Sequence, residues 1–175
     1  MSPHPLNDLI LHFGEMASRW GFNRSVGQVL AAIVFSEAPL SADELSERLS
    51  LSRGNVSMAT KELQSWRLIR VLREPGDRKD YYAANGGLWD LALQVVSERR
   101  KREVDPTLSL LRSQLMNTDD KDYAHERMQE MHDLLELFTQ WLDDMQRMKP
   151  DHLLALLKLG SGVGKVLTMK DKLLK

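Results

Sequence analysis

A chain of 175 residues with no cysteine, and with 24 Lys and Arg against 25 Asp and Glu for a formal net charge of −1, has room for one ordinary buried core and a smaller helical appendage. It is too short for a large multidomain enzyme. The missing thiols remove disulfides, thiolate zinc sites and thiol-based redox sensing, while the balanced charge removes a general polybasic coat and still permits a local basic surface. The opening MSPHPLNDLI has neither the positive start nor the apolar core of a secretory signal, and no stretch reaches the roughly 18 apolar residues of a membrane span. The expected location is the cytoplasm, without membrane attachment.

Apolar residues return every three or four positions through most of the chain, which predicts helices. A first helix is expected from about Leu6 to Trp20, with Leu6, Leu9, Ile10, Phe13, Met16, Ala17 and Trp20 on one face, and Gly21 to end it. A second, from about Arg24 to Ser36, uses Val26, Val29, Leu30 and Ile33 and runs into the turn Glu37-Ala38-Pro39. Ser41 and Glu44 then match a capping box, in which the hydroxyl serves an orphan helix N–H and the carboxylate reaches back to the cap. Leu45 and Leu49 give that third helix its stripe. After Ser50-Leu51, Ser52 caps a fourth helix reaching about Trp66, with Val56, Ala59 and Leu63 turned inward. Two short helices about a tight turn form a helix-turn-helix pattern.

The run Leu68–Arg73, the turn Glu74-Pro75-Gly76-Asp77-Arg78-Lys79-Asp80 and the run Tyr81–Ala84 predict strand, turn and strand, because β-branched and tyrosine side chains suit a pleated surface and Pro-Gly-Asp suits a reversal. A hairpin after a recognition helix is a wing. The expected fold class is mainly α with a small β-hairpin: a winged helix-turn-helix with a helical dimerisation region. In domain terms, residues 1–40 pack and support a dimer, 41–85 form the DNA-binding core, and 86–175 form the dimerisation and effector region.

The stretch SADELSERLSLSRGNVSMATKELQSWRLI, continued through GDRKDYY and preceded by a helix ending in Trp20-Gly21, resembles the MarR superfamily, and most closely its GbsR-like branch. The resemblance extends over most of the chain; LSRGNVSMATKEL and GDRKDYY are its most specific parts. It implies a dimeric DNA-binding transcription regulator, expected to be a ligand-responsive repressor on paired half-sites, and a small-molecule effector such as choline or a related quaternary ammonium. The alternative carried by the same elements is a winged helix that binds protein and not DNA.

The residues support a binding face without that analogy. With Val56, Ala59 and Leu63 buried at 3.6 residues per turn, Gly54, Ser57, Met58 and Lys61 face outward beside Ser52 and Arg53. Arg53 suits guanine or phosphate, Ser57 donates or accepts, Gly54 permits close approach, and Lys61 suits the backbone. Asn55 lies at the edge of the face, within reach of an adenine if the helix tilts. Met58, where related motifs often carry a basic residue, suits a thymine methyl. In the wing, Arg78 and Lys79 stand at the tip, positioned for the narrow minor groove of an A/T-rich segment, and Arg73 and Arg70 extend the basic surface. Asp77 is expected to structure the turn.

Beyond Asn85-Gly86-Gly87 a helix is expected from about Leu88 to Val104, ending in Arg99-Arg100-Lys101-Arg102, which either touches flanking phosphates or forms a solvated helix end. Asp105-Pro106 reads as an N-cap followed by proline at the first helical position, opening a helix to about Asn117-Thr118. A long helix follows, whose series Ala124, Met128, Met131, Leu135, Phe138, Leu142 and Met145, widened by Leu134, Trp141 and Met148, needs a partner. A homodimer supplies one. Lys149-Pro150-Asp151 restarts the chain into a leucine-rich helix.

Sharper chemistry is not supported. In Leu159-Gly160-Ser161-Gly162-Val163-Gly164-Lys165-Val166 the first glycine of a phosphate-binding loop is Leu159 and its Ser/Thr position is Val166. His132 and Glu136, at i,i+4 on the long helix with His125 one heptad earlier, supply too few metal ligands. No nucleophile–base set points to an enzyme, and no residue set to a cofactor. For the effector, Trp20, Trp89, Phe138 and Trp141 are the candidates for an aromatic cage around a quaternary ammonium, against core packing as the ordinary role.

Overall fold

Helix α1 (Pro5–Arg19) and helix α2 (Arg24–Val34) can approach closely because glycines line their contact. A Cβ on Gly27 would fall 2.5 Å from the Phe13 carbonyl oxygen and 3.1 Å from the Cα of Gly14. Gly21, at φ +83°, turns the chain out of α1, and the Asn23 side chain then accepts the Ser25 N–H at 3.1 Å to start α2. These contacts come from a computed structural model, which describes residues 5–117, 122–149, 151–156 and 158–160. Two compact units divide the chain, residues 1–98 and 99–175.

In the first unit, strand β1 (Leu40–Ser41) leads directly into helix α3 (Ala42–Leu49). The capping box is present: Ser41 Oγ accepts the Glu44 N–H at 3.3 Å, and Glu44 Oε2 accepts the Ser41 N–H at 2.7 Å. The Ser41 hydroxyl, donating to the same Oε2 at 2.6 Å, and then the Ser41 N–H hold the Glu44 carboxyl below the usual glutamate range. Ser50 in the left-handed region ends α3, and Ser52 caps helix α4 (Arg53–Ser65) through its side chain and the Asn55 N–H at 3.2 Å.

Strands β2 (Ile69–Arg73) and β3 (Asp80–Ala84) form the wing. They belong to a three-stranded antiparallel sheet in the order β1-β3-β2, with Ser41 opposite Tyr81 and Arg73 opposite Asp80. The sequence predicts the hairpin but not β1, because a two-residue strand is too short to show alternation. Helix α5 (Leu88–Arg99) adds Leu91 to a core built on Val29, Leu45, Val56, Ala59 and Leu63.

In the second unit, the π turn Arg100–Val104 leads without a break into helix α6 (Asp105–Asn117). The boundary falls at Asp105 as expected, but Asp105 is not an N-cap and no break precedes it. Asp105 is helical, at φ −60° and ψ −39°, and its N–H bonds the Arg100 carbonyl. A proline one residue later offers no N–H to the preceding turn and crowds its carbonyl, and a widened turn absorbs both effects. The Asp105 carboxylate does not cap; it accepts from Arg100 Nε at 3.3 Å. Arg100 also reaches the Thr139 carbonyl at 3.3 Å and pairs with Asp143, both on helix α7 (Tyr123–Arg147), so this member of the basic run is a tether.

Asp122 caps α7, accepting the His125 N–H at 2.9 Å. Leu108, Leu111, Leu142 and Leu153 are buried in this unit, while Met131, Leu134, Leu137, Phe138 and Trp141 stay exposed along α7. Residues 151–156 and 158–160 are helical. Pro150 and the glycine-rich stretch 161–166 lie outside the described residues. Among the described residues no helix is long and apolar enough to cross a membrane.

Candidate nucleic-acid interface

Helix α4 has two opposed faces. Val56, Ala59, Leu63 and Thr60 are buried to within 2% of complete, and the Thr60 hydroxyl is satisfied by the Ser57 carbonyl at 3.2 Å. Thr60 is the inward residue that an apolar periodicity misses. Ser52, Arg53, Gly54, Asn55, Ser57, Met58 and Lys61 are all exposed, Met58 at 59%. Their burial pattern is that of a helix held on one side and free to enter a groove on the other. The Ser52 hydroxyl accepts the cap bond, which leaves its proton available to a phosphate oxygen.

The wing is braced from within. Asp77 Oδ1 accepts the Lys79 N–H at 2.9 Å and Asp77 Oδ2 accepts the Tyr81 hydroxyl at 2.9 Å, which holds the Asp77 carboxyl low and pushes the Tyr81 phenol up. Arg73 Nε donates to Asp80 Oδ1 at 2.8 Å across the turn end of the hairpin, and that bond raises the pKa of Arg73 further. Arg73 is therefore partly occupied as a cross-strand pair. Arg78 is exposed at the turn, and its guanidinium has no side-chain hydrogen bond or ion pair among the described residues. The recognition helix and wing share one further residue. Asp43 of α3 lies 2.9 Å from Arg53 Nη2 through Oδ1 and 3.5 Å from Lys79 Nζ through Oδ2. Ten and thirty-six positions separate Asp43 from these partners, so no local spacing announces it.

The family profile described as MarR family matches residues 20–80, the span that contains α2, the helix-turn-helix and the wing as far as Asp80. That span resembles the MarR family of winged-helix transcriptional regulators. It is 24% identical to the HTH-type transcriptional regulator YvaV of Bacillus subtilis over 77% of both chains. It is 25% identical to the HTH-type transcriptional repressor GbsR of the same organism, over 81% of this chain and 82% of that protein. A crystal structure described as a transcriptional regulator superposes with a TM-score of 0.68 at 21% identity, covering 81% of this chain and 95% of that one. That likeness shows a shared fold.

The four aromatic residues expected at an effector site do not share one environment. Trp20 lines a cavity of about 430 Å³ in the first unit, with Phe13, Phe22 and Phe35 among its almost wholly apolar walls. Trp89 is not among the residues lining that cavity. Phe138 and Trp141, in the second unit, stack with ring centroids 6.2 Å apart. The histidine spacing on α7 serves an arginine: Arg112 donates to His132 Nε2 at 3.2 Å and to Glu136 Oε1 at 2.8 Å.

Proposed function

We propose that the chain is a homodimeric, ligand-responsive repressor that places two copies of α4 in major grooves of paired half-sites and the wing tips in adjacent minor grooves. The observation that carries this reading is the fully buried Val56–Ala59–Leu63 face of α4 set against its exposed Arg53, Ser57 and Lys61, beside a braced wing that leaves Arg78 unengaged. Arg53 and Ser57 read base edges, Lys61 and Ser52 contact phosphates, and Arg78 enters the minor groove. Gly54 admits the backbone closely, Met58 offers apolar contact to a thymine methyl, and Asn55 works at the edge of the face.

Dimerisation is supported by the uncovered apolar stripe of α7, which a second copy of the chain would bury in residues 86–175. Repression is supported by the name that the relative GbsR carries. The effector reading is supported by the aromatic walls around Trp20, whose ring faces attract a quaternary ammonium such as choline. The stacked Phe138 and Trp141 provide a second platform of the same chemistry.

Titration of a pool of genomic duplexes by fluorescence anisotropy, at several salt concentrations, tests the reading. Binding is expected to weaken steeply as salt rises. Folded protein that binds no duplex at low salt would replace this function with a protein-binding winged helix.

A further inference from the structure

We propose that Asp43 sets the DNA specificity of this protein, a role that rests on the DNA-contact reading of α4 and the wing. One carboxylate holds two cations from separate elements, Arg53 at the start of α4 and Lys79 in the wing turn, each through a different oxygen. The side chains are well exposed, 82% for Arg53, 55% for Lys79 and 47% for Asp43. Ion pairs this open add little to folding stability, because solvent screens them and ordering long side chains costs entropy. Their consequence lies in binding.

Asp43 stands between the two contacts that would straddle the duplex, so its negative charge faces the phosphates those cations approach. Any duplex, whatever its sequence, meets that repulsion, and Arg53 and Lys79 reach phosphate only by sharing or leaving the carboxylate. Glu44 is a second anion near Lys79, tied to the Ser41 N–H and hydroxyl, and it is common to wild type and to every Asp43 variant. A guanine edge changes the balance. Arg53 turns Nη2 toward Asp43; Nη2 carries two hydrogens, so the one not given to the carboxylate still forms a parallel fork with Nη1 or with Nε for the two acceptors of guanine, while the carboxylate behind fixes the guanidinium plane. Asp43 thus subtracts from binding to every sequence and returns the loss only where Arg53 finds its base.

The test compares full-length wild type, Asp43→Asn and Asp43→Glu on one preferred duplex and its scrambled counterpart across a salt series. Asp43→Asn is expected to bind the scrambled duplex about 3- to 10-fold tighter at low salt, with a log K against log salt slope steeper by about one. The preferred duplex gains less, so the ratio between them narrows. Asp43→Glu keeps the charge and is expected to stay within about twofold of wild type on both. The proposal is overturned if Asp43→Asn binds scrambled DNA no tighter, if the ratio holds or widens, or if Asp43→Glu behaves like Asp43→Asn. Wild type that binds neither duplex fails earlier and removes the DNA-contact reading itself, an outcome distinct from a DNA-binding wild type insensitive to Asp43.

Discussion

The Tyr81 hydroxyl donates to Asp77 at 2.9 Å, joining strand β3 to the turn that presents Arg78. Loss of this bond frees the wing tip without opening the core, because both groups are at the surface. Tyr81→Phe is expected to lower DNA affinity about threefold, the size of one modest hydrogen bond, with an unchanged thermal midpoint. Anisotropy titration and a circular-dichroism melt on the same sample check both halves. Unchanged affinity would show that the wing is rigid without the phenol.

On the proposed DNA-contact reading, the wing and the recognition helix support different kinds of binding. Arg78→Ala is expected to weaken preferred and scrambled duplexes alike, since minor-groove insertion reads width and charge more than base identity. Arg53→Ala and Ser57→Ala are expected to relax discrimination by about 1–3 kcal/mol as affinity falls, the cost of a lost bidentate base contact being the upper part of that range. The measurement is paired titration at fixed salt, with sedimentation to confirm that each variant keeps its assembly state. Equal affinities for Arg78→Ala and wild type on both duplexes would take the hairpin out of the interface.

At the start of α3, Ser41→Ala is expected to cost about 1 kcal/mol in urea unfolding, because it removes the N-cap acceptor. Glu44 adds a pH dependence of known sign. Its folded pKa lies below the ordinary value of 4.5, so its contribution is complete above that value and disappears as pH falls through the lower folded one. The stability gap between wild type and Glu44→Gln is therefore expected to be largest at neutral pH and to close in acid. A gap that widens as pH falls would contradict the capping role.

Between α1 and α2, Gly27→Ala places a Cβ 2.5 Å from a backbone oxygen that cannot move without shifting α1. The expected loss is about 1–3 kcal/mol, as for an overpacked core, despite the better helix propensity of alanine. Chemical denaturation measures it, and a neutral or stabilising result would mean that the two helices part easily.

On α7, Leu134 and Trp141 are exposed at 66% and 54%. If a second copy covers them, sedimentation of wild type shows a dimer at micromolar concentration and Leu134→Glu with Trp141→Glu shifts it toward monomer, while each chain stays helical. A monomeric wild type would leave the stripe to another partner.

Local chemistry was readable from the sequence, and long-range chemistry was not. The capping box at Ser41 and Glu44, the cap at Ser52 and the division of α4 into buried and exposed faces each depend on residues within a few positions. The π turn escaped because Asp105-Pro106 has the composition of a helix start, while the geometry of its carboxylate is decided by Arg100. Thr60 escaped because its hydroxyl finds a carbonyl one turn away and so tolerates burial. Asp43 reads in sequence as an ordinary acidic residue in a first helical turn, and only the fold brings it to Arg53 and Lys79.

Ser41 occupies three positions at once: it is the last residue of β1, the partner of Tyr81 in the sheet and the cap of α3. A tilt of the hairpin through β3 would have to pull on the first turn of the helix that carries Asp43. The head therefore works as a caliper with a locked hinge, in which the gap between the helix jaw and the wing jaw is set during folding. In the proposed dimer, a signal that releases DNA would then act on the distance between two heads and not on the opening of either one.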